Sequence, residues 1–504
     1  MSQLSRREFF ENSMFAAAAA ALASRTGSSF AADDAAPGSA EILRVAVVGV
    51  NSRGQSHIDG FGKRKDCEIA AIVDVDEVVG NKRADAIEKQ YGKRPTVYID
   101  MRKCFEDKSI HIASIATPNH WHSLAAIWAI QAGKDVYVEK PVSHNVFEGR
   151  QLVEAARKHK KIVQTGTQSR SNPGMRELIK VIHDGGIGEV KLARGLCYKP
   201  RGSIGPRGNY DVPASVNYDL WSGPAQMTTL TRPKLHYDWH WQWETGNGDL
   251  GNQGIHQMDI ARWGLNAMNL GETVHSYGGR FGYEDAGETP NTQVCIHEFA
   301  GGKRLVFEVR GLTTERLQFD GREFDTKSTE TDNKDNQGAK VGVIFYGSEG
   351  YAVMPSYNGG SLFDKDGKKV KDFGGGGDDN HFGNFVKAVR SRKIEDLNAD
   401  ILEGHLSSAL CHVGNISYRL GSPVSAKDIT AKLQGDAEAL ETFDRFQQHL
   451  LDNKIDPATT KITLGPKLTL AGKEVFSGDR AAEANKLTTR EYRAPYIVPK
   501  TEDL

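Results

Sequence analysis

The stretch GNGDLGNQGIHQMD, residues 246–259, sets one histidine at the mouth of an amphipathic segment behind a glycine-loosened loop. Three chemistries could use such a turn: cradling a phosphate, ligating a metal, or taking a proton from a substrate. The phosphate reading fails, because the lysine and hydroxyl that complete a P-loop are missing. A metal reading of His120-x-His122 with His256 lacks recognisable ligand spacing, so no metal is expected. Proton transfer suits the intrinsic pKa of an imidazole, which makes His256 a candidate; a satisfied structural histidine at a helix start is the competing reading. Asp259, three residues on, shares its helical face and could contact substrate or support the site. Asp249 reads as a loop or capping residue.

A second constellation is Gly49-Val50-Asn51-Ser52-Arg53-Gly54 at the end of an apolar run. It fits the dinucleotide fingerprint G-x-G-x-x-G except that Asn51 replaces the second glycine. In that fingerprint the first glycine makes the tight turn, the second admits the pyrophosphate and the third lets helix and strand pack. Alone the match is weak. It gains weight because a second strand-like run ends in Asp74, where a ribose-binding acid belongs, although such an aspartate can also simply end a strand in a turn. Asp74 would repel a 2′-phosphate and no arginine follows it directly, so NAD is expected rather than NADP.

These residues need a scaffold that brings them together. The runs ILRVAVVGV, EIAAIVDVD, HIASIAT, DVYVEK and KIVQTGT are nearly continuous apolar stretches of strand length. Segments 77–91, 122–132 and 146–159 between them have helical periodicity. The alternation predicts a parallel sheet built from βαβ units, with ATPNHWH (116–122) and Glu139-Lys140-Pro141 at carboxyl ends of strands, where ligands bind in such sheets. After about residue 168 the rhythm changes to a helix over 173–184 and longer strands over 191–198, 292–299, 304–311 and 342–346. That predicts an α+β second domain with a large mixed or antiparallel open sheet. Residues 318–340 read as an exposed charged insertion, 374–377 as a mobile loop, 381–420 as a long helical stretch and 421–504 as a mostly polar tail. Alternation at Trp239, Trp241 and Trp243 suggests three tryptophans on one strand face, either core packing or a platform for sugar rings beside His240. Tyr198 and Lys199, ending a strand, are candidates to reach the substrate, and Arg201 is placed similarly.

With 504 residues the chain can hold two or more domains, and Lys plus Arg (64) against Asp plus Glu (65) leaves a net charge of -1. Nothing in that balance recruits nucleic acid or an anionic membrane, so a small molecule is the expected partner. Five scattered cysteines without a CxxC argue against a disulfide framework or zinc ribbon. The N-terminus, Ser5-Arg6-Arg7-Glu8-Phe9-Phe10 followed by the apolar run 14–23 and small residues around Ala31, resembles a twin-arginine export signal. The run is too short and alanine-rich to span a membrane, and an alanine-rich cytoplasmic helix is the competing reading. The expected organisation is a signal over 1–32, a linker over 33–40, a nucleotide domain over 41–167, a substrate domain over 168–435 and an extension over 436–504.

In order and spacing, GVNSRG, ATPNHWH, VEKPV, TGTQSRS and GNQGIHQMD resemble the Gfo/Idh/MocA oxidoreductases, over roughly residues 42–425. The resemblance implies an N-terminal Rossmann domain and a C-terminal α/β domain whose open sheet forms the substrate site and often an oligomer face. It implies NAD(P)-dependent chemistry on sugars, cyclitols and related polyols, and hence a small sugar or polyol as substrate. By position it implies that Lys140 lies near the nicotinamide and the reacting hydroxyl, and that Thr117, Pro118, Asn119 and His122 line the cofactor ribose. Glu139 and Pro141 would shape the bend, while Gln168 and Arg170 would face the cofactor cleft. One departure stands out: the family pattern has an aspartate four residues before the histidine, and here that position is Asn252. An amide can bond a sugar hydroxyl but cannot take up a proton at neutral pH, so proton transfer would rest on His256 and Lys140.

Export would separate the enzyme from the cytoplasmic nicotinamide pool and favour tightly held NAD in the periplasm. Two reactions then fit: a redox pair on sugars or polyols, or an NAD-dependent glycosidase that oxidises C3 transiently and eliminates the aglycone. A sugar-binding protein that lost catalysis is a third reading, supported by Asn51 and Asn252. An uncovered sheet would favour self-association.

Overall fold

The computed structural model describes residues 41–314, 317–319, 322–324, 341–377, 379–472 and 474–504. The expected signal and linker lie outside the described residues.

Strands β1 (Leu43–Val48), β2 (Cys67–Val73), β3 (Thr96–Tyr98), β4 (Ile112–Ile115), β5 (Asp135–Val138) and β6 (Val163–Thr165) form one parallel sheet in the order β3-β2-β1-β4-β5-β6. Their apolar runs are continuous because both faces are covered: one by Met101, Leu124, Ile127 and Leu152, the other by Ile58, Phe61, Phe382 and Phe385. The strand order reverses between β1 and β4, which opens a crevice at their carboxyl ends. Local chemistry sets the helix ends: the Asp76 carboxylate accepts from Val78 N and Val79 N to start Glu77–Tyr91, and Gly92 ends it at φ 80°.

Among the described residues the second sheet has twelve strands, with β7 (Val190–Cys197) and β10 (Lys303–Arg310) parallel at its centre. On one side β10 continues antiparallel through β9 (Thr292–Phe299) and β8 (Thr273–Gly279). Short strands β11 (Leu317–Phe319) and β12 (Arg322–Phe324) pair separately within the expected insertion, most of which is outside the described residues. On the other side of β7 the sheet runs antiparallel through β13 (Val341–Gly347), β14 (Gly350–Met354), β15 (Gly359–Asp364) and β16 (Lys369–Gly374). Alternate residues face alternate layers. Cys295, Leu305 and Phe307 meet helices Gly254–Gly264 and Ile401–Arg419, while Val294, Ile296 and Val306 face the opposite way.

Two sequence expectations change here. The stretch 381–420 is two helices, Asp379–Ser391 and Ile401–Arg419, because Asp400 caps the second helix through its carboxylate. The segment 421–504 is no polar tail: helices Ala426–Leu433 and Ala437–Asp452 cover the far face of β8–β10 with Ile429, Phe443, Phe446 and Leu450. Each such buried side chain contributes roughly 1.5–3 kcal/mol. Farther on, Tyr496, Val498 and Leu504 pack into the core of the first sheet beside Trp121 and Trp128.

Candidate active site

The crevice is a cavity of about 460 Å³ roofed by an excursion of the chain over residues 198–247. This segment folds back onto the first domain, where Glu77 N donates to Ser215 O (3.0 Å), Asn217 N to Val75 O (2.9 Å), and His236 Nε2 meets Asp76 Oδ2 (3.2 Å). Trp221, His236, Tyr237 and Trp239 therefore line the cavity opposite the fingerprint.

The dinucleotide end fits its expected occupant. Gly49 sits at φ 82°, and a Cβ there would lie 2.8 Å from Ala116 O; one on Gly54 would lie 2.1 Å from Gly49 O. Both glycines are thus required by close backbone approach. Asn51 and Ser52 are exposed at the mouth, and the helix Gly54–Gly62 starts beside them with its positive end toward the cleft. Asp74 is buried and accepts from Val50 N (2.8 Å) and Asp76 N (3.0 Å). Burial pushes its pKa up while those two bonds oppose the rise. Thr117 Oγ1 is buried in the cavity wall without a hydrogen-bond partner, as an oxygen waiting for a ligand hydroxyl would be. The donors, the acid and the two bare glycines suit NAD.

Arg53, at one of the three variable positions of the fingerprint, donates through Nε to Glu139 Oε1 at 2.7 Å. The other partner of that oxygen is His57 Nε2 (3.1 Å), whose ring is fully buried and held by Ser114 Oγ at 2.8 Å. Burial alone would raise the Glu139 pKa, but Arg53 and His57 hold it well below the usual carboxylate range. Gln168, in the amide orientation that satisfies both its ends, donates to Gly166 O at 3.0 Å and accepts from Arg53. His122 lies between Pro141 O (2.6 Å) and Thr117 O (2.7 Å), and burial lowers its pKa. Asn119 Nδ2 donates to Asn247 Oδ1 at 3.1 Å. The Lys140–Pro141 bond is cis.

At the far end, Lys140, Asn252, His256 and Tyr357 converge. Lys140 Nζ donates to the main-chain oxygen of Asn252 at 2.9 Å. Burial lowers its pKa, and the Glu139 charge partly restores it. His256 is held well below its ordinary pKa by burial and then by Lys140, and its Nδ1 has no hydrogen-bond partner. The Tyr357 ring stands edge-on to His256 at 4.9 Å, and its hydroxyl accepts from Gln253 Nε2, whose amide oxygen in turn accepts from Lys199 Nζ (3.2 Å). Asn252 Nδ2 faces Asp249 Oδ1 at 3.4 Å, and Arg201 grips both oxygens of that aspartate at 2.7 and 2.8 Å.

The cavity thus gathers Gly49, Asn51, Ser52, Arg53, Asp74, Thr117, Pro118, Asn119, His122, Glu139, Lys140, Gln168, His240, Asn252 and His256 from the sequence candidates. Lys199 stands just behind it through Gln253. Four others are turned away. Arg170 shares the 3₁₀ turn Gln168–Ser171 with Gln168, and residues two apart on such a turn point in different directions. Its guanidinium binds both Asp259 oxygens (2.8 and 3.0 Å) and Glu403 (3.0 Å), so Asp259 is spent on a buried ion pair rather than on substrate. Strand alternation sends Tyr198 to the opposite face of the sheet, where its hydroxyl donates to Glu308 Oε2 at 2.7 Å. Asp238–Trp241 is a 3₁₀ turn, not a strand, so Trp239 and Trp241 part company: Trp239 stacks on His240 (3.6 Å) in the cavity, and Trp241 packs on Ile204 and Ala286. Burial lowers the His240 pKa to about 3. Tyr357 escaped the sequence reading because it sits on the β14–β15 turn, with no periodicity or motif to mark it. Among the described residues no three metal-ligating side chains cluster, and the five cysteines are buried free thiols.

Comparison with known proteins agrees with this geometry. Residues 43–167 match the Gfo/Idh/MocA oxidoreductase family model for the NAD-binding Rossmann fold, and residues 219–324 match the Gfo/Idh/MocA C-terminal domain. Over 156 residues the chain is 32% identical to glycosyl hydrolase family 109 protein 1 of Shewanella sp. (strain ANA-3). Over the same length it is 31% identical to the alpha-N-acetylgalactosaminidase of Shewanella oneidensis. Each alignment takes in 30% of this chain and 34% of the relative, so the chain spans about a third of the length of the curated relatives it matches. In fold it is similar to the WlbA dehydrogenase from Bordetella pertussis in complex with NADH and UDP-GlcNAcA (TM-score 0.53, 18% identity, 73% of this chain and 94% of that one). A levoglucosan dehydrogenase in complex with NADH and levoglucosan aligns with TM-score 0.54 and 17% identity, over 74% of this chain and 95% of the other. Residues 43–167 form an NAD-binding Rossmann domain.

Proposed function

We propose that the protein is an NAD-dependent oxidoreductase that attacks a secondary hydroxyl of a sugar or cyclitol. The observation that carries this reading is the meeting of Lys140 and His256 at the end of one cavity whose other end holds Asp74 and the fingerprint turn. NAD, when bound, supplies the hydride acceptor. The chain supplies the proton path and the seat for the sugar. His256, neutral because burial disfavours its charged form, accepts the substrate hydroxyl as a hydrogen-bond partner. Lys140 is the stronger base of the two, and burial brings its pKa down toward the range where it can give and take a proton. Asn252 O fixes the ammonium, and Glu139 balances its charge. Trp239, stacked on His240, offers an aromatic edge to a pyranose ring.

A second reading shares this first step. The relatives described as family 109 glycosyl hydrolases favour a redox-neutral glycosidase, in which C3 would be oxidised transiently, the C2 proton lost, the aglycone eliminated and water added, with the hydride then returned to C3 so that the cofactor ends as it began. The choice is made by incubating the purified protein with sugars and aryl glycosides. Release of the aglycone without net NADH selects hydrolysis, accumulation of a ketosugar or lactone selects oxidation, and a protein that neither contains nor binds NAD defeats both. Export by the twin-arginine route, proposed from Ser5–Phe10 and the apolar run 14–23, accords with a cofactor retained through the cycle. Self-association through the second sheet belongs to the same proposal.

A further inference from the structure

Behind the dinucleotide cleft lies a second cavity of about 220 Å³, between the helix Ile401–Arg419 and residues 486–490. The two cavities share a wall. Asn247, which accepts from Asn119 on the cleft side, lines the second cavity, donates through Nδ2 to His144 O (3.0 Å), and has its own carbonyl bound by Asn415 Nδ2 (3.0 Å).

The lining is rich in donors and in positive charge. Arg490 donates to His144 Nδ1 (3.0 Å) and is neutralised by Glu244 (2.8 Å). Arg419 lies over the face of Trp243 at 5.1 Å, which sets the plane of its guanidinium, yet among the described residues that group makes no hydrogen bond or ion pair. Lys486, on the same rim, also has none. The floor holds His412, 3% exposed, with Nε2 against Ser143 Oγ (3.0 Å) and Nδ1 without a partner. Among the described residues Arg419 and Lys486 thus lack an ion pair around a cavity whose one lining carboxylate, Glu244, is bound to Arg490 and gives Arg419 only a more distant attraction. A planar guanidinium held on a tryptophan face and a free ammonium are the groups that grip a carboxylate or a phosphate. The volume is below that of drug-sized pockets, which excludes a nucleotide and leaves room for a small acid.

We propose that this cavity binds a small oxyanion, carboxylate- or phosphate-bearing, through Arg419 and Lys486, separately from the dinucleotide cleft. The test is calorimetric titration of the full chain with inorganic phosphate and, separately, with glucuronate, each against sodium chloride at equal ionic strength. Saturable binding of either is expected, and whichever binds identifies the chemistry. Arg419→Ala and Lys486→Ala should each weaken that binding by about tenfold or more while leaving NAD content and circular dichroism unchanged. Absence of saturable binding of both anions up to about 10 mM, or wild-type affinity in both variants, overturns the proposal.

Discussion

The ammonium of Lys140 is anchored at 2.9 Å by the main-chain carbonyl of Asn252, not by its side chain. The amide of Asn252 instead faces Asp249, whose two oxygens are already gripped by Arg201. The carboxylate of Asp249 is thus engaged by Arg201 and does not stand in for the acid expected at position 252.

Asn252→Ala keeps that carbonyl and so leaves Lys140 in place. Turnover should fall by less than about tenfold, whereas Lys140→Ala should cost about 10²–10⁴-fold with NAD content retained. Single-turnover rates on an accepted sugar compare the two. Equal losses would mean that the Asn252 side chain itself takes part.

Glu139 raises the proton affinity of Lys140, against the effect of burial. Glu139→Gln keeps the shape and removes the charge, so the Lys140 pKa drops further. Because the rate rises as Lys140 loses its proton, the acid limb of the kcat profile should move to lower pH. A limb that stays put or moves upward rules out Lys140 as the titrating base.

Asp74→Asn removes the charge that would meet the ribose hydroxyls while leaving an oxygen for Val50 N. NAD should bind about ten- to a hundredfold more weakly, and preference for NAD over NADP should narrow, since the charge that repels a 2′-phosphate is gone. Titration of the emptied protein with each dinucleotide checks this; unchanged discrimination would place the ribose elsewhere.

His297 is fully buried opposite Val274 and Leu305, and neither ring nitrogen has a partner. Burial lowers its pKa to about 3 from 6.5. Between those values the unfolded chain binds a proton that the folded chain does not, so stability falls as pH drops from 6.5, by about 2 kcal/mol at pH 5. His297→Leu should hold or raise stability at pH 7 by about 1 kcal/mol and lessen the loss on acidification. Urea midpoints at pH 7 and pH 5 measure both effects, and an unchanged acid loss would refute the assignment.

Much of the first domain could be read in the sequence because strands buried on both faces leave unbroken apolar runs, and fingerprint, second-strand acid and EKP turn fall at strand ends. β3 was hidden because Thr96–Tyr98 is a short edge. The second domain was half legible. β7, β9, β10 and β13 carry apolar runs, but β16 shows only Phe373 to the interior and looks like loop. The roof over the cleft left no local mark, since residues 198–247 are held by long-range bonds such as Glu77 N to Ser215 O. Alternating tryptophans mimicked a strand where a 3₁₀ turn was needed. Arg170 and Asp259 stand in the central motifs as candidates for the cofactor cleft and the substrate, and only the tertiary fold decides that they pair with one another.

The packing of Tyr496, Val498 and Leu504 against the helices of the nucleotide domain ties the order of synthesis to the order of folding. The sheet made early is sealed by residues made long after it. A ribosome-bound chain would expose Trp121 and Trp128 until residues 496–504 emerge, so the nucleotide domain matures late, together with the domain that was translated after it.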